Sequence, residues 1–380
     1  MSKPFLFFFR DALDKGLLLV LGTIIAIILS NSHLANIYHA IINADLDINY
    51  DSQIISIPMH FIVNDILMSI FFLMVGIEIK KEMISGHLAL RSQRVLPILC
   101  AISGVIIPLI IYLAFNHKIP KNAVGWAIPT ATDIAFTIAI MSMFSKKIPQ
   151  SVRVFVTALA IIDDLIAVIA IAIFYTDTIN SFCIGGILIC ITILCILNRQ
   201  SVQNLQAYIS IGIIMLILFY FSGIHTTVSG VILGFCIPMQ AAEKLLKFIH
   251  KFVTYFIMPI FAFFNSGISL GGFELNNFVN PVISGVFLGL FVGKQIGIFG
   301  TFFLLVKSKI ASMPNRATFT DAYIASILCG IGFTMSLFVA SLAFNQHSPE
   351  LVEAKAGILI GSILSCIYGA LLLRIRNPVQ

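Results

Sequence analysis

Charge is scarce in this chain. Asp, Glu, Lys and Arg make up 11% of its 380 residues while 59% are hydrophobic, which excludes a water-soluble globule, whose composition is about a quarter charged. Long polar stretches are missing too. No low-complexity tract or extended linker divides the chain, so a single membrane domain over residues 1–380 is expected. The seven cysteines are scattered, mostly within apolar runs, and lack the paired spacing of a metal or redox site; they read as small core hydrophobes. The net charge of +6 comes from basic residues spread over the joints between apolar runs. It is a topology signal, and no nucleic-acid partner is implied.

What is present is a series of apolar segments about 20 residues long, the length of a helical membrane span. They cover roughly 12 to 30, 59 to 85, 95 to 115, 121 to 143, 150 to 174, 181 to 198, 204 to 220, 223 to 238, 246 to 270, 282 to 306, 320 to 344 and 354 to 374. Segments of that length favour helices over barrel strands, and the expectation is an all-α polytopic membrane protein with about twelve spans and the lipid bilayer as its environment. One set of joints carries Lys80, Lys81, Arg91, Arg94, Lys146, Lys147, Arg153, Arg199, Lys244, Lys247, Lys251, Lys307, Lys309 and Arg316, whereas the opposite set carries Lys118, Lys121 and Lys355. Basic residues near span ends stay on the cytoplasmic side, so both termini are expected in the cytoplasm of a bacterial inner-membrane protein, which requires an even number of spans. Arg10, Asp11, Asp14 and Lys15 interrupt the first apolar run, and no small-residue cleavage site follows it; the first span is expected to remain as an anchor.

The longest joint on the poorly basic side, 31 to 58, contains two alternating runs, Asp45 to Tyr50 and Ser52 to Ile57, the pattern of a small β-hairpin over 45–57. Such an edge is either an ordered loop or a pairing surface for a second copy.

Two spans are interrupted. In the fourth, Pro129 within Ala127-Ile128-Pro129-Thr130-Ala131-Thr132-Asp133 removes a backbone donor and disfavours helix before it; in the eleventh, Gly330 and Gly332 weaken the helix. Each is the middle member of a three-span group, spans three to five and ten to twelve. Paired interruptions in two groups point to inverted repeats with a binding site near the bilayer midplane, although a simple Pro or Gly kink is tolerated in many membrane helices.

Asp133, Asp163, Asp164 and Lys294 fall well inside apolar spans, where a central charge costs roughly 2.5 to 3.5 kcal/mol. Three acids and one base leave excess negative charge that protons or a bound cation must neutralise. If sodium and protons compete for the same carboxylates, one enters as the other leaves. Oxygen ligands suit a small hard cation, and Thr132 adds a hydroxyl beside Asp133. Adjacent residues on a helix point about 100 degrees apart, so Asp163 and Asp164 take different roles: Asp164 toward the ion cavity, Asp163 toward the interrupted helices and Lys294. The latter sits on a helix with Gly285, Gly289, Gly293 and Gly297 at four-residue spacing, a face that lets another helix approach closely. A lone buried Lys can also be a structural ion pair. Asp65, Glu78 and Glu82 trace the second span, and His225 opens the eighth and could sense pH in the physiological range; a solvated helix end and a satisfied interface histidine are the plainer readings of Glu82 and His225.

Five segments, GWAIPTATDIAF from Gly125, ALAIIDDL from Ala158, GIHTTVSGVILG from Gly223, VGKQIGIFG from Val292 and CGIGFTMSLF from Cys329, together resemble the NhaA-type sodium/proton antiporter family over nearly the whole chain. The resemblance implies two crossing discontinuous helices, electrogenic exchange of Na+ or Li+ for H+ without a cofactor, and pH regulation. It implies that Asp163 and Asp164 carry ion and proton, that Asp133 and Lys294 balance helix dipoles with Thr132 as auxiliary ligand, that Glu78, Glu82 and His225 belong to the pH response, and that the 45–57 hairpin is a homodimer contact. One departure stands out: Leu246 and Lys247 occupy positions where the family pattern has an acid and a histidine, which bears on the pH set point and not on the transport site. A rival, intramembrane aspartyl protease chemistry, needs its acids on separate helices and a Gly-x-Gly-Asp motif absent here. A second rival is a sodium-coupled symporter for an organic solute, a task that crossed broken helices also serve; nothing such as a membrane-embedded Arg suggests an organic anion site.

Overall fold

The computed structural model describes residues 16–50, 53–86, 91–176, 179–268 and 280–377. In chain order its elements are α1 (Leu17–Ser30), α2 (Ala35–Ile42), β1 (Asp45–Tyr50), β2 (Gln53–Pro58), α3 (Met59–Ile84), α4 (Arg91–Asn116), α5 (Ile134–Met143), α6 (Gln150–Phe174), α7 (Ser181–Arg199), α8 (Leu205–Ser222), α9 (Thr227–Cys236), α10 (Met239–Asn265), α11 (Pro281–Lys307), α12 (Phe319–Leu328), α13 (Phe333–Ala343) and α14 (Pro349–Ile375). Among the described residues nine helical stretches are long and apolar enough to cross a membrane, or eleven if the bent pairs α1–α2 and α12–α13 each count as one. Large apolar side chains such as Phe182, Ile189, Ile213 and Leu304 lie exposed on these helices, a surface suited to lipid and poorly suited to water.

The expected count of twelve spans is not confirmed among the described residues. The expected eighth span is the ten-residue α9, about 15 Å long at 1.5 Å per residue, half of a hydrocarbon core. The first residues of the expected span, 223–226, form a turn in which Gly223 takes a left-handed φ of 83°, and Ile237 at its end is extended. The ninth span also starts earlier than hydropathy suggests, at Met239 behind the extended Pro238, because an average over polar Gln240 to Lys251 hides the helix start. The charged run Arg10 to Lys15, on which the expectation of a retained anchor rests, lies outside the described residues.

The chain divides into two compact units. In one, the described residues of Leu17–Lys81 and Val168–Ser269, α1 packs along the end of α10 and α7 packs on α8. The hairpin closes antiparallel with Asp45 opposite Pro58 and Tyr50 opposite Gln53, and the Ser56 hydroxyl donates to Asp47 Oδ1 at 2.6 Å. Alternating β-formers between turn residues produce these strands as the pattern predicts.

The other unit takes the described residues of Met1–Gly16, Glu82–Ala167 and Leu270–Gln380 and contains both three-span groups except the end of α6 from Val168 on. The glycine face of α11 is filled by α4 at three of its four positions and by Pro129 at Gly289: a Cβ at Gly285 would stand 2.6 Å from Asn116 Nδ2, at Gly289 2.6 Å from Pro129 Cβ, at Gly293 2.9 Å from Pro108 Cα, and at Gly297 it would collide with Ser103 O. The Ser103 hydroxyl donates to Gly297 O at 2.8 Å where these helices meet. Where helices cannot gain from expelling water, such close backbone approach and interhelical hydrogen bonding hold them together. The start of α12 is fixed by a capping box between Thr318 and Asp321, with the Arg376 guanidinium paired to the same buried carboxylate.

Candidate ion site

Both interruptions open where the sequence places them. Ahead of α5, a turn Pro120–Ala123 runs into a 3-10 stretch Val124–Thr130 containing Pro129, and the chain is extended at Ala131 and at Asp133. The second break separates α12 from α13 with a bend of 43°. The two breaks touch: Asp133 N donates to Ile331 O at 2.7 Å, and the Thr132 and Thr137 hydroxyls donate to Cys329 O and Leu328 O, each at 3.0 Å. Only glycine fits at position 332, since a Cβ there would lie 2.9 Å from Ala131 O and 2.7 Å from Leu290 Cδ2.

This meeting of the breaks has a clear electrostatic logic. Asp133 caps α5, its Oδ1 accepting from Phe136 N at 3.1 Å, while Oδ2 accepts from Thr334 N at 3.1 Å and the Thr334 hydroxyl at 2.5 Å. One carboxylate thus faces the N-terminal ends of α5 and α13, both partially positive. The Thr132 and Thr137 hydroxyls meanwhile donate to carbonyls at the C-terminal end of α12, where carbonyls run out of intrahelical donors, Leu328 O also accepting from Ile331 N at 3.1 Å.

On α6, Asp163 and Asp164 are both buried. Lys294, with no exposed surface, reaches Asp163 with Nζ 2.7 Å from Oδ2, and Thr132 lies beside the same carboxylate. Asp163 Oδ1 is sealed from solvent with no hydrogen-bond partner among the described residues. Lys294 sits between two π-helical stretches, Gly289–Gly293 and Gln295–Phe299. Such segments are rare and gather at functional sites.

The remaining predicted residues do not join this group. His225 begins the α9 segment, its Nδ1 3.0 Å from Thr227 Oγ1 and its Nε2 3.8 Å from Asp65 Oδ1. The Thr226 hydroxyl donates to the same Asp65 oxygen at 2.7 Å. Glu78 and Glu82 lie farther along α3, partly exposed, where Lys80 donates to Phe235 O at 2.9 Å and Ile237 O at 2.6 Å, carbonyls at the end of α9. Sequence reasoning overlooked Thr334, which supplies two donors to Asp133, and the reciprocal amide pair of Asn64 and Asn265, whose Nδ2–Oδ1 distances are 2.8 and 3.3 Å. The signal for Thr334 in the sequence was its place two residues after Gly332 in an interrupted span.

The relatives of this chain point the same way. The family model described as Na+/H+ antiporter 1 matches residues 7–373. The chain is 42% identical over 380 residues to the Na(+)/H(+) antiporter NhaA of Pelagibacter ubique, covering 98% of this chain and 97% of that one. It is 44% identical over 386 residues to Na(+)/H(+) antiporter NhaA 1 of Clostridium beijerinckii, covering 99% and 96%, and 40% identical over 377 residues to Na(+)/H(+) antiporter NhaA of Escherichia coli K12, covering 97% of each. Its fold is similar to that of the sodium proton antiporter MjNhaP1 from Methanocaldococcus jannaschii, with a TM-score of 0.58 at 15% identity over 94% of this chain and 89% of that one. With two helix breaks in contact, a buried lysine–aspartate pair and a family match over nearly its full length, this chain belongs to the Na+/H+ antiporter 1 family.

Proposed function

We propose that the chain acts as one transporter in a bacterial inner membrane, with both termini cytoplasmic, and exchanges Na+ or Li+ for H+. Asp163 and Asp164 carry the exchanging ions, Lys294 is the counter-charge displaced when a metal cation arrives, and Thr132 is an auxiliary oxygen ligand. Asp133 acts as a fixed charge between helix ends, with Thr334 holding its orientation. The observation that carries this reading is the 2.7 Å approach of Lys294 Nζ to Asp163 Oδ2 deep in the unit, beside a second buried acid and an unbonded carboxylate oxygen.

A buried ion pair alone is inert. A third charge changes that: with Asp164 ionised next to an ion-paired Asp163, the group carries excess negative charge that either a proton or a cation must neutralise. Sodium binding to these oxygens releases the ammonium from Asp163 and displaces protons held by the group; proton return reverses it. Coupling follows because the same lone pairs serve both ligands, and alternating access makes the swap vectorial.

Two calorimetric titrations of sodium into the purified chain, in buffers differing in ionisation enthalpy, test the core of this reading. A binding heat that changes with the buffer, showing proton release, is expected. Equal heats in both buffers at every pH would remove the exchange mechanism.

Two subsidiary roles complete the proposal. The Asp65, Thr226 and His225 interactions support a pH-responsive region that extends along α3 to Glu78 and Glu82. The β1–β2 edge supports homodimer formation by strand pairing.

A further inference from the structure

A surface cavity of about 400 Å³ lies between the end of α5 and the start of α6 and is closed on its far side by the segment leading into α12. Its walls include Lys146, Pro149, Ser151, Arg153, Asn315 and Arg316. Three of its lining residues are cationic and none is acidic. Arg153 is not an ordinary solvated cation. It is only partly exposed, its Nε is shielded from solvent without a hydrogen-bond partner, and no carboxylate pairs with it among the described residues. A shielded guanidinium nitrogen left unpaired costs free energy that an arriving anion recovers.

The walls are tied together before any ligand arrives. The Ser151 hydroxyl donates to Asn315 O at 2.5 Å, fixing the segment that carries Arg316 over the first turn of α6. That turn belongs to a 25-residue helix; Val152 N and Arg153 N already donate to Pro149 O, so the partial positive charge of the helix start, and not a set of free N–H groups, adds to the attraction. A guanidinium fork matches the paired oxygens of a phosphate group. Because the cavity sits at the ends of two apolar spans, a phosphate there is within reach of the membrane surface, where basic pockets take lipid headgroups.

We propose that this cavity binds a phosphate-bearing anion, gripped by Arg153 and closed over by Lys146 and Arg316. The site bridges the connection between the helix capped by Asp133 and the helix carrying Asp163 and Asp164, and it stands or falls independently of the exchange mechanism.

The test uses the full chain in detergent. Native mass spectrometry after incubation with phosphatidylglycerol or phosphatidylcholine, alongside equilibrium dialysis with radiolabelled inorganic phosphate, separates the two sources of the anion. Phosphatidylglycerol retained over phosphatidylcholine assigns a lipid headgroup; bound inorganic phosphate without lipid preference assigns a free anion. In either case Arg153→Gln and Arg316→Gln should each weaken binding about fivefold, while Lys244→Gln with Lys247→Gln, a loss of charge elsewhere, leaves it unchanged. Arg316 is exposed on a loop, so its variant reports on binding even if Arg153→Gln fails to fold. No binding of either probe, or equal loss in the control variant, overturns the proposal.

Discussion

The two units handle buried acids in opposite ways. Asp163 and its neighbours are 1 to 2% exposed and face an ammonium, threonine hydroxyls and helix ends. Asp65, in the other unit, keeps 20% of its side chain exposed and is held by one threonine hydroxyl, with a histidine nitrogen 3.8 Å away. Full burial makes each missing charge expensive, so the first group should fail sharply when altered. Partial solvation buffers the second, which should change in degree.

The sharpest break in that contrast is at the acids themselves. Asp163→Asn and Asp164→Asn are each expected to reduce sodium-driven pH changes in everted vesicles to background while the protein remains folded in the membrane; wild-type responses in either variant reject their role as carriers. Next is Lys294→Ala, which strands Asp163 as a buried charge and is expected to destabilise the chain by about 3–5 kcal/mol, read from unfolding in detergent. Combining it with Asp163→Asn should recover most of that stability without restoring exchange, whereas additive losses would mean that the two side chains do not act as a pair.

Smaller effects sharpen the comparison. Thr334→Val removes the hydroxyl bond to Asp133 but keeps the backbone one, so a loss of about 1 kcal/mol and a raised sodium requirement are expected, measured as apparent KM against maximal rate. Smallest of all, Thr226→Val should move the midpoint of the pH–activity profile while leaving maximal exchange near wild type. An unchanged profile would separate the Asp65 cluster from pH response and leave it structural.

Much of the contrast was visible in the sequence. Carboxylates at 133, 163 and 164 stand out because hydrocarbon tolerates charge so poorly, and Pro129 and the glycine pair mark the breaks through local backbone chemistry. The four-residue glycine spacing predicts a close helix neighbour, and α4 fills that place. Which side chains meet across the breaks was not visible. Thr334 lies 201 residues from Asp133 and Thr226 161 from Asp65, and no local periodicity encodes such pairings. Hydropathy also overestimated the length of α9, since it counts the apolar residues of the turn before Thr227 and of the extended Ile237 and Pro238 after it, which the helix does not include.

Composition and patterning were enough to establish that this chain lives in lipid, where most of its helices begin and break, and which residues are too costly to be idle, because each of these follows from transfer free energy and backbone stereochemistry within a few turns. Tertiary packing settled the rest: which helix ends share Asp133, and which distant threonines supply hydroxyls to Asp133 and Asp65. Those outcomes depend on the directions of side chains brought together from distant parts of the chain.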